Sequence, residues 1–374
     1  MRAHIVHFGT QMTWRGGEAQ MMLLAGGTRL HDYSVSFVAR PGSELARRAR
    51  SAGFEVDELG FAWHYSPLAA RRLGAILRER RARIIHLHDG HSVWLGKTAA
   101  WLAGTPHVVA TRRVDFPVRS SRKWSSGIDR VVAISECIAR VLREAGIPDE
   151  KLRVVHSGID TGRLASAAPR EKFRAELGLG EWAPLVVTVG ALTDHKGQRY
   201  LVDAMPAVRE AHPSAHLVIA GEGELRSELT AQVERLGLSE WVHLVGFRPD
   251  VPGILAAAEV AVFPSHLEGL CTSAMDAMAC GLSVVATDAG GLPEVMAAGE
   301  TGLVVPARDP GALSEALIGL LGDEDRRRGF GEAGRERVAG HFTAERMVEG
   351  NLAVYEELLG SRRGGAEPGE GGEA

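Results

Sequence analysis

The sequence predicts an α/β protein of two doubly wound, Rossmann-like domains facing each other across a cleft. Three observations carry this. Short apolar runs of strand length alternate with helix-period segments, the pattern of βαβ units and a parallel sheet. The alternation pauses over residues 162–183, where Gly, Ala, Pro and charged residues read as a linker with a short helix, and then restarts. The 374 residues are enough for two domains with proper cores. The expected boundaries are 1–165 and 182–342, a final helix over 343–359, and a disordered Gly/Glu tail over 360–374.

In chain order, Ala3–Gly9 is expected as the first strand, leading through Gly16-Gly17-Glu18 into an apolar helix. Paired glycines before a helix let backbone approach a ligand closely, although a plain helix start is the simpler reading. Strands follow at Tyr33–Ala39, Phe54–Leu59, Arg83–Leu87, Val108–Thr111, Arg130–Ile134 and Leu152–His156. Helices are expected over Ser43–Ala52 and Pro67–Arg81, the second rich in arginine. His88-Asp89-Gly90-His91 follows one strand; two histidines on a loop are thin support for a metal. Arg112-Arg113 ends another, where two guanidinium groups can hold phosphate or carboxylate. Arg119, Arg122 and Lys123 with Trp124 form a basic, aromatic loop suited to an anionic acceptor or membrane surface.

The second half offers strands at Leu185–Val189, His216–Ala220, Val242–Val245, Val260–Phe263, Ser283–Ala286 and Leu303–Val305. Residues 310–339 read as helical, and Phe342–Leu359 as a last amphipathic helix. Gly221-Glu222-Gly223 is a fragment of a dinucleotide fingerprint whose third glycine position holds Arg226. Lys196 lies between a strand and a helix, the place for a cation facing a diphosphate.

Charge is uneven. Residues 1–165 carry 25 Lys/Arg and 15 Asp/Glu, a balance of +10, and the remainder 18 and 32, a balance of −14. Either two differently charged surfaces result, or the first half meets something anionic. Three cysteines give no disulfide framework and no zinc spacing, which indicates a reducing compartment. No secretory signal is evident, and no apolar run approaches the roughly 20 residues of a membrane span. A cytoplasmic protein, touching the inner face of the membrane, is expected. No recognised nucleic-acid module is present.

The stretch Pro264–Gly281 concentrates the chemistry. Pro264 stops a buried strand, Thr272 and Ser273 are good N-cap types, and Ala274–Ala279 is a strong helix former. Glu268-Gly269-Leu270-Cys271 is therefore a strand-to-helix turn that aims backbone N–H groups at one spot, as an anion requires. Glu268 sits at its rim, and Asp276 lies one helical turn inside.

These residues together resemble the family 4 retaining glycosyltransferases of the GT-B fold. The resemblance covers nearly the whole chain. It rests on Gly16-Gly17-Glu18, Ser157-Gly158-Ile159-Asp160, Lys196-Gly197, Gly221-Glu222-Gly223, the Glu268 segment and Gly290-Gly291-Leu292-Pro293-Glu294. It implies that the second domain binds a UDP- or GDP-linked nucleotide sugar, with no metal or other cofactor. The acceptor would be an anionic glycolipid or cell-envelope glycan. Lys196 would meet the diphosphate, Glu268 the donor sugar and Asp276 the ribose. Gly17, Gly221, Gly223, Gly269, Leu270, Cys271 and Thr272 would complete the donor side. Gly16, Glu18, Arg112 and Arg119 would face the acceptor. The final helix would cross back to the first domain.

Three departures stand out. The family's usual arginine five residues before the lysine is Ala191, the second acid is Asp276 rather than Glu, and Arg113 stands about where a histidine is common. Arg112 or Arg113 can supply the missing cation; Arg113 and His88 join Glu268 as catalytic candidates, with His91 a further one. A nucleotide-sugar epimerase of the same fold and a non-catalytic sugar-nucleotide-binding protein are the alternatives. An NAD oxidoreductase fits least.

Overall fold

The computed structural model describes residues 3–360 except 64, 106, 165–169 and 181. Seven strands form the first sheet: β1 (His4–Phe8), β2 (Ser34–Ala39), β3 (Glu55–Glu58), β4 (Ala82–Leu87), β5 (His107–Arg112), β6 (Arg130–Ala133) and β7 (Leu152–Val154). Six form the second: β8 (Leu185–Val189), β9 (His216–Ala220), β10 (Val242–Gly246), β11 (Val260–Phe263), β12 (Ser283–Thr287) and β13 (Gly302–Val305). The orders are β3-β2-β1-β4-β5-β6-β7 and β10-β9-β8-β11-β12-β13. Every strand pairing is parallel. The central strands are buried on both faces, which explains their continuous apolar runs.

Each sheet reverses its winding once, between β1 and β4 and between β8 and β11. In such sheets the crevice at the carboxyl ends of those strands receives the ligand. The two crevices thus fall at Phe8–Leu87 and at Val189–Phe263.

The cross-over helices start where short polar side chains satisfy free N–H groups. Ser43, Ser66 and Ser135 accept from the N–H of Ala46, Ala69 and Ile138. Residues 310–339 are helical as expected, in two helices, Pro310–Leu321 and Glu324–His341, since Gly322 ends the first and Asp323 caps the second. One expectation needs correction, at the helix that follows Glu268. Thr272 and Ser273 are not the N-cap of their helix. Cys271 occupies that position, and Thr272 is the first helical residue, Thr272–Ala279.

The last helix, Ala344–Gly360, returns to the first domain as expected. Its Met347, Val348, Leu352, Tyr355 and Leu358 share a core with Met21, Leu24 and Phe37. The crossing is pinned where Ile159 exchanges backbone bonds with Phe342 and Ala344, at 2.8 and 2.9 Å. The expected 360–374 tail, apart from Gly360, lies outside the described residues. Among the described residues, no helix is long and apolar enough to cross a membrane.

Candidate active site

Strand register builds the first-domain side of the cleft. β1 and β4 place His7 beside His86, and His88 follows at the end of β4. All three are buried, with nitrogens within 4.8 Å of one another. His88 Nε2 lies 2.8 Å from His7 Nδ1, and Arg113 Nη2 lies 3.4 Å from His88 Nδ1. Since a guanidinium only donates, His88 Nδ1 accepts, and its proton sits on Nε2, aimed at His7. His86 spends Nδ1 on the Tyr355 hydroxyl and Nε2 on the Thr111 hydroxyl, both at 2.6 Å. Burial pushes His7 down to about 3 and holds His86 and His88 well below the ordinary imidazole range, with the neighbouring histidines and Arg113 adding to it. The cluster is a neutral hydrogen-bonded stack beside a cation, and His88 holds Arg113 in place.

Arg113 is partly buried, and its Nε has no hydrogen-bond partner. Its charge is weakened by burial to about 10, with Glu18 acting the other way. It runs beneath Gly17, where a Cβ would stand 3.6 Å from its Cδ. Glu18 closes the start of helix Gly16–Leu30 by accepting from the Arg15 N–H at 3.0 Å. Gly16 faces across to Thr272 of the other domain.

On the second-domain side, Lys196 ends a short turn after β8, and Glu268 follows β11. Lys196 Nζ and a Glu268 carboxylate oxygen form an ion pair of 2.5 Å, backed by the Ser265 hydroxyl at 3.3 Å. Burial works against the Lys196 charge, but Glu268 more than offsets it and holds the ammonium above its ordinary range. Burial likewise pushes the Cys271 thiol up to about 12, so it is no nucleophile at neutral pH. Leu270 is buried beside it.

The domains meet through this turn. The Glu268 N–H donates to Asp115 at 2.7 Å, and the Ser135 hydroxyl to the Gly269 carbonyl at 2.8 Å. Gly269 is required here, because any Cβ would strike the Arg113 carbonyl. Glu294 accepts from the Glu136 and Cys137 N–H groups, both at 2.7 Å, at the start of a first-domain helix.

Other expected residues fall into place differently. Asp276 is mostly buried and pairs with Arg163 at 3.1 Å, while its Oδ1 is buried without a partner. Burial pushes its carboxyl up to about 6, against the pull of Arg163. Gly221 (φ 155°) and Gly223 pack directly on the Gly190 and Leu192 carbonyls, and this close loop contact already accounts for both. Arg112 is buried and Arg119 exposed. His91 stands at the N-cap of helix Ser92–Ala103, away from the histidine stack. Trp124, expected on an interacting loop, is 4% exposed and lies under the Arg112 guanidinium. It is a core residue and cannot enter a membrane. His7, His86, Asp115 and Arg163 were not singled out from sequence. The signal for the first two was a polar residue within an otherwise apolar strand.

Residues 14–163 match the family described as Glycosyltransferase Family 4, and residues 169–337 match Glycosyl transferases group 1. The alpha-maltose-1-phosphate synthase of Mycolicibacterium smegmatis is 32% identical over 76% of this chain and 82% of its own length. The chain belongs to glycosyltransferase family 4. A GDP-mannose-dependent monoacylated alpha-(1-6)-phosphatidylinositol monomannoside mannosyltransferase of Corynebacterium glutamicum is 31% identical, covering 84% of this chain and 88% of its own. The crystal structure of Anabaena Alr3699/HepE with UDP and glucose superimposes with a TM-score of 0.85 at 19% identity, over 95% of this chain and 100% of its own. This family 4 chain is thus a GT-B glycosyltransferase, with mannosyltransferases among its relatives.

Proposed function

We propose that the protein is a retaining transferase that moves a sugar from a UDP- or GDP-linked donor to an anionic glycolipid or cell-envelope glycan. The observation that carries this is the Lys196–Glu268 ion pair, at the winding reversal of the second sheet and across from Gly16 and Gly17. A donor diphosphate at Lys196 competes with Glu268 for the ammonium. The carboxylate is then available to sugar hydroxyls and to positive charge developing at the anomeric carbon. The unpartnered Asp276 Oδ1 suits a ribose hydroxyl, with Arg163 holding the other oxygen. Arg113, oriented by His88, supplies a cation on the first-domain side in a site where Ala191 supplies none. No metal or other cofactor is needed in this scheme: cationic side chains and helix N-termini stabilise the leaving diphosphate.

The relatives' names support this donor and acceptor class: one is GDP-mannose-dependent and acts on a phosphatidylinositol mannoside. A place at the inner face of the membrane fits the exposed Arg119 and Arg122, and the exposed Trp63 and Trp101 of the same domain. The test is incubation with GDP-mannose or UDP-glucose and an anionic glycolipid extract, followed by proton NMR of the product. An α-linked product from the α-linked donor supports the reading. A β-linked product, or sugar interconversion without acceptor, overturns it.

A further inference from the structure

Arg112, the last residue of β5, and Lys123, on the short helix Ser121–Ser125, lie close enough for their charges to repel. Arg112 is 7% exposed, its guanidinium lies 5.1 Å above the Trp124 ring, and one terminal nitrogen donates to the Phe116 carbonyl. Its Nε is buried with no partner. Lys123 Nζ rests over Gly90, 3.6 Å from where a Cβ would be, in the loop that follows β4. Arg112 thus ends one strand and the Lys123 ammonium reaches the loop after its neighbour, beside the winding reversal where the fold presents ligands.

What is missing is a close ion pair, since Asp115 and Asp89 favour the charges of Arg112 and Lys123 only from a distance. Among the described residues, no carboxylate forms an ion pair with Arg112 or Lys123. The two nearby acids are committed elsewhere. Asp115 accepts from the Glu268 N–H, and Asp89 accepts from the Thr10 N–H and hydroxyl and the His91 and Ser92 N–H groups. Lys97 adds to the crowding rather than relieving it, since its ammonium donates to the Arg122, Lys123 and Ser126 carbonyls. Burial weakens the charge of Arg112, Lys97 and Lys123, and like charges weaken the two lysines further, while Asp115 and Asp89 offset part of this at Arg112 and Lys123. Two partly desolvated cations whose nearest acids make no ion pair with them are a cost to the fold that a bound anion relieves.

We propose that Arg112 and Lys123 receive a phosphate group of the acceptor. Two cations match a phosphate monoester, which carries about −1.5 to −2 charges at neutral pH, better than a single carboxylate. The unpaired Nε and the lysine ammonium supply donors from two directions. The inference rests on the transferase reading and names one chemical feature of its acceptor. The phosphate can be borne by a lipid headgroup or by a soluble sugar or polyol phosphate.

The test titrates inorganic phosphate, at constant ionic strength, into protein saturated with UDP or GDP so that the donor side is filled. Wild type is expected to bind phosphate in the millimolar range, and Lys123→Ala to weaken that about tenfold or more. Arg112→Lys is the second variant, because it keeps a charge over Trp124 but loses the Nε donor. It too should bind more weakly. Sedimentation with phosphatidic acid vesicles separates the sources. Loss in Lys123→Ala of the excess binding to phosphatidic acid over phosphatidylglycerol vesicles assigns the phosphate to a lipid, and no such excess in wild type, or one that Lys123→Ala leaves unchanged, assigns it to a soluble acceptor. Equal phosphate affinity in wild type and Lys123→Ala overturns the proposal. Failure of both UDP and GDP to bind counts against the donor reading, and the titration without nucleotide then still decides the Lys123 question.

Discussion

Lys196 and Glu268, 72 residues apart, close into one ion pair because β8 and β11 are neighbours in the second sheet. Lys196→Ala removes the cation proposed to face the diphosphate and leaves a mostly buried carboxylate unpaired. Nucleoside diphosphate affinity should fall roughly ten- to a hundredfold, as for a lost charge-assisted bond. Calorimetric titration with UDP and GDP measures it, and an unchanged affinity removes Lys196 from the site.

Asp276 gives a pH signature. Its folded value of about 6 lies above that of an unfolded aspartate. The folded state therefore holds the extra proton more tightly. This group stabilises most at low pH, and the contribution is lost as pH rises through about 6. Asp276→Asn lacks that loss, so its stability relative to wild type should rise between about pH 4 and 7, by on the order of 1–3 kcal/mol in total. A gap that stays constant or shrinks would show that Arg163 keeps the carboxylate ionised throughout.

Tyr355 ties the returning helix to the first sheet through His86. Tyr355→Phe leaves a buried imidazole nitrogen without a partner, at about 1–3 kcal/mol. Denaturant unfolding should show that loss with little change in slope. An unchanged midpoint would mean that the hydrophobic contacts alone hold the helix.

Salt-sensitive binding to phosphatidylglycerol vesicles is expected through the exposed Arg119 and Arg122. Reversing both charges should abolish it, at about 1 kcal/mol for each basic residue near the surface. Trp124→Ala should instead lower stability, since that ring is core. Equal recovery with neutral and anionic vesicles would reduce the loop to a solvated surface.

The strands were legible because parallel, doubly covered strands are apolar throughout: Leu185–Val189, His216–Ala220 and Val260–Phe263 match their sequence-level limits. Glu268 and Lys196 stood out because each follows a strand the sequence signals, and Asp276 because it lies one turn inside a helix the sequence signals. What lay hidden depended on register and docking. His7 meets His86 only because β1 pairs with β4 at that offset. Asp115 reaches the Glu268 amide from 153 residues away, and Arg163 reaches Asp276 from 113. Trp124 misled because Arg119 and Arg122 near it are exposed while its ring turns in, a choice that packing makes.

The most direct measurement is the rate of sugar transfer by Glu268→Gln, taken well below its melting temperature because Lys196 loses its partner. The substitution keeps shape and most hydrogen bonding but removes the charge. If Glu268 stabilises the transition state, turnover falls about 10²-fold or more while the donor still binds. A folded variant that transfers sugar as fast as wild type contradicts the account.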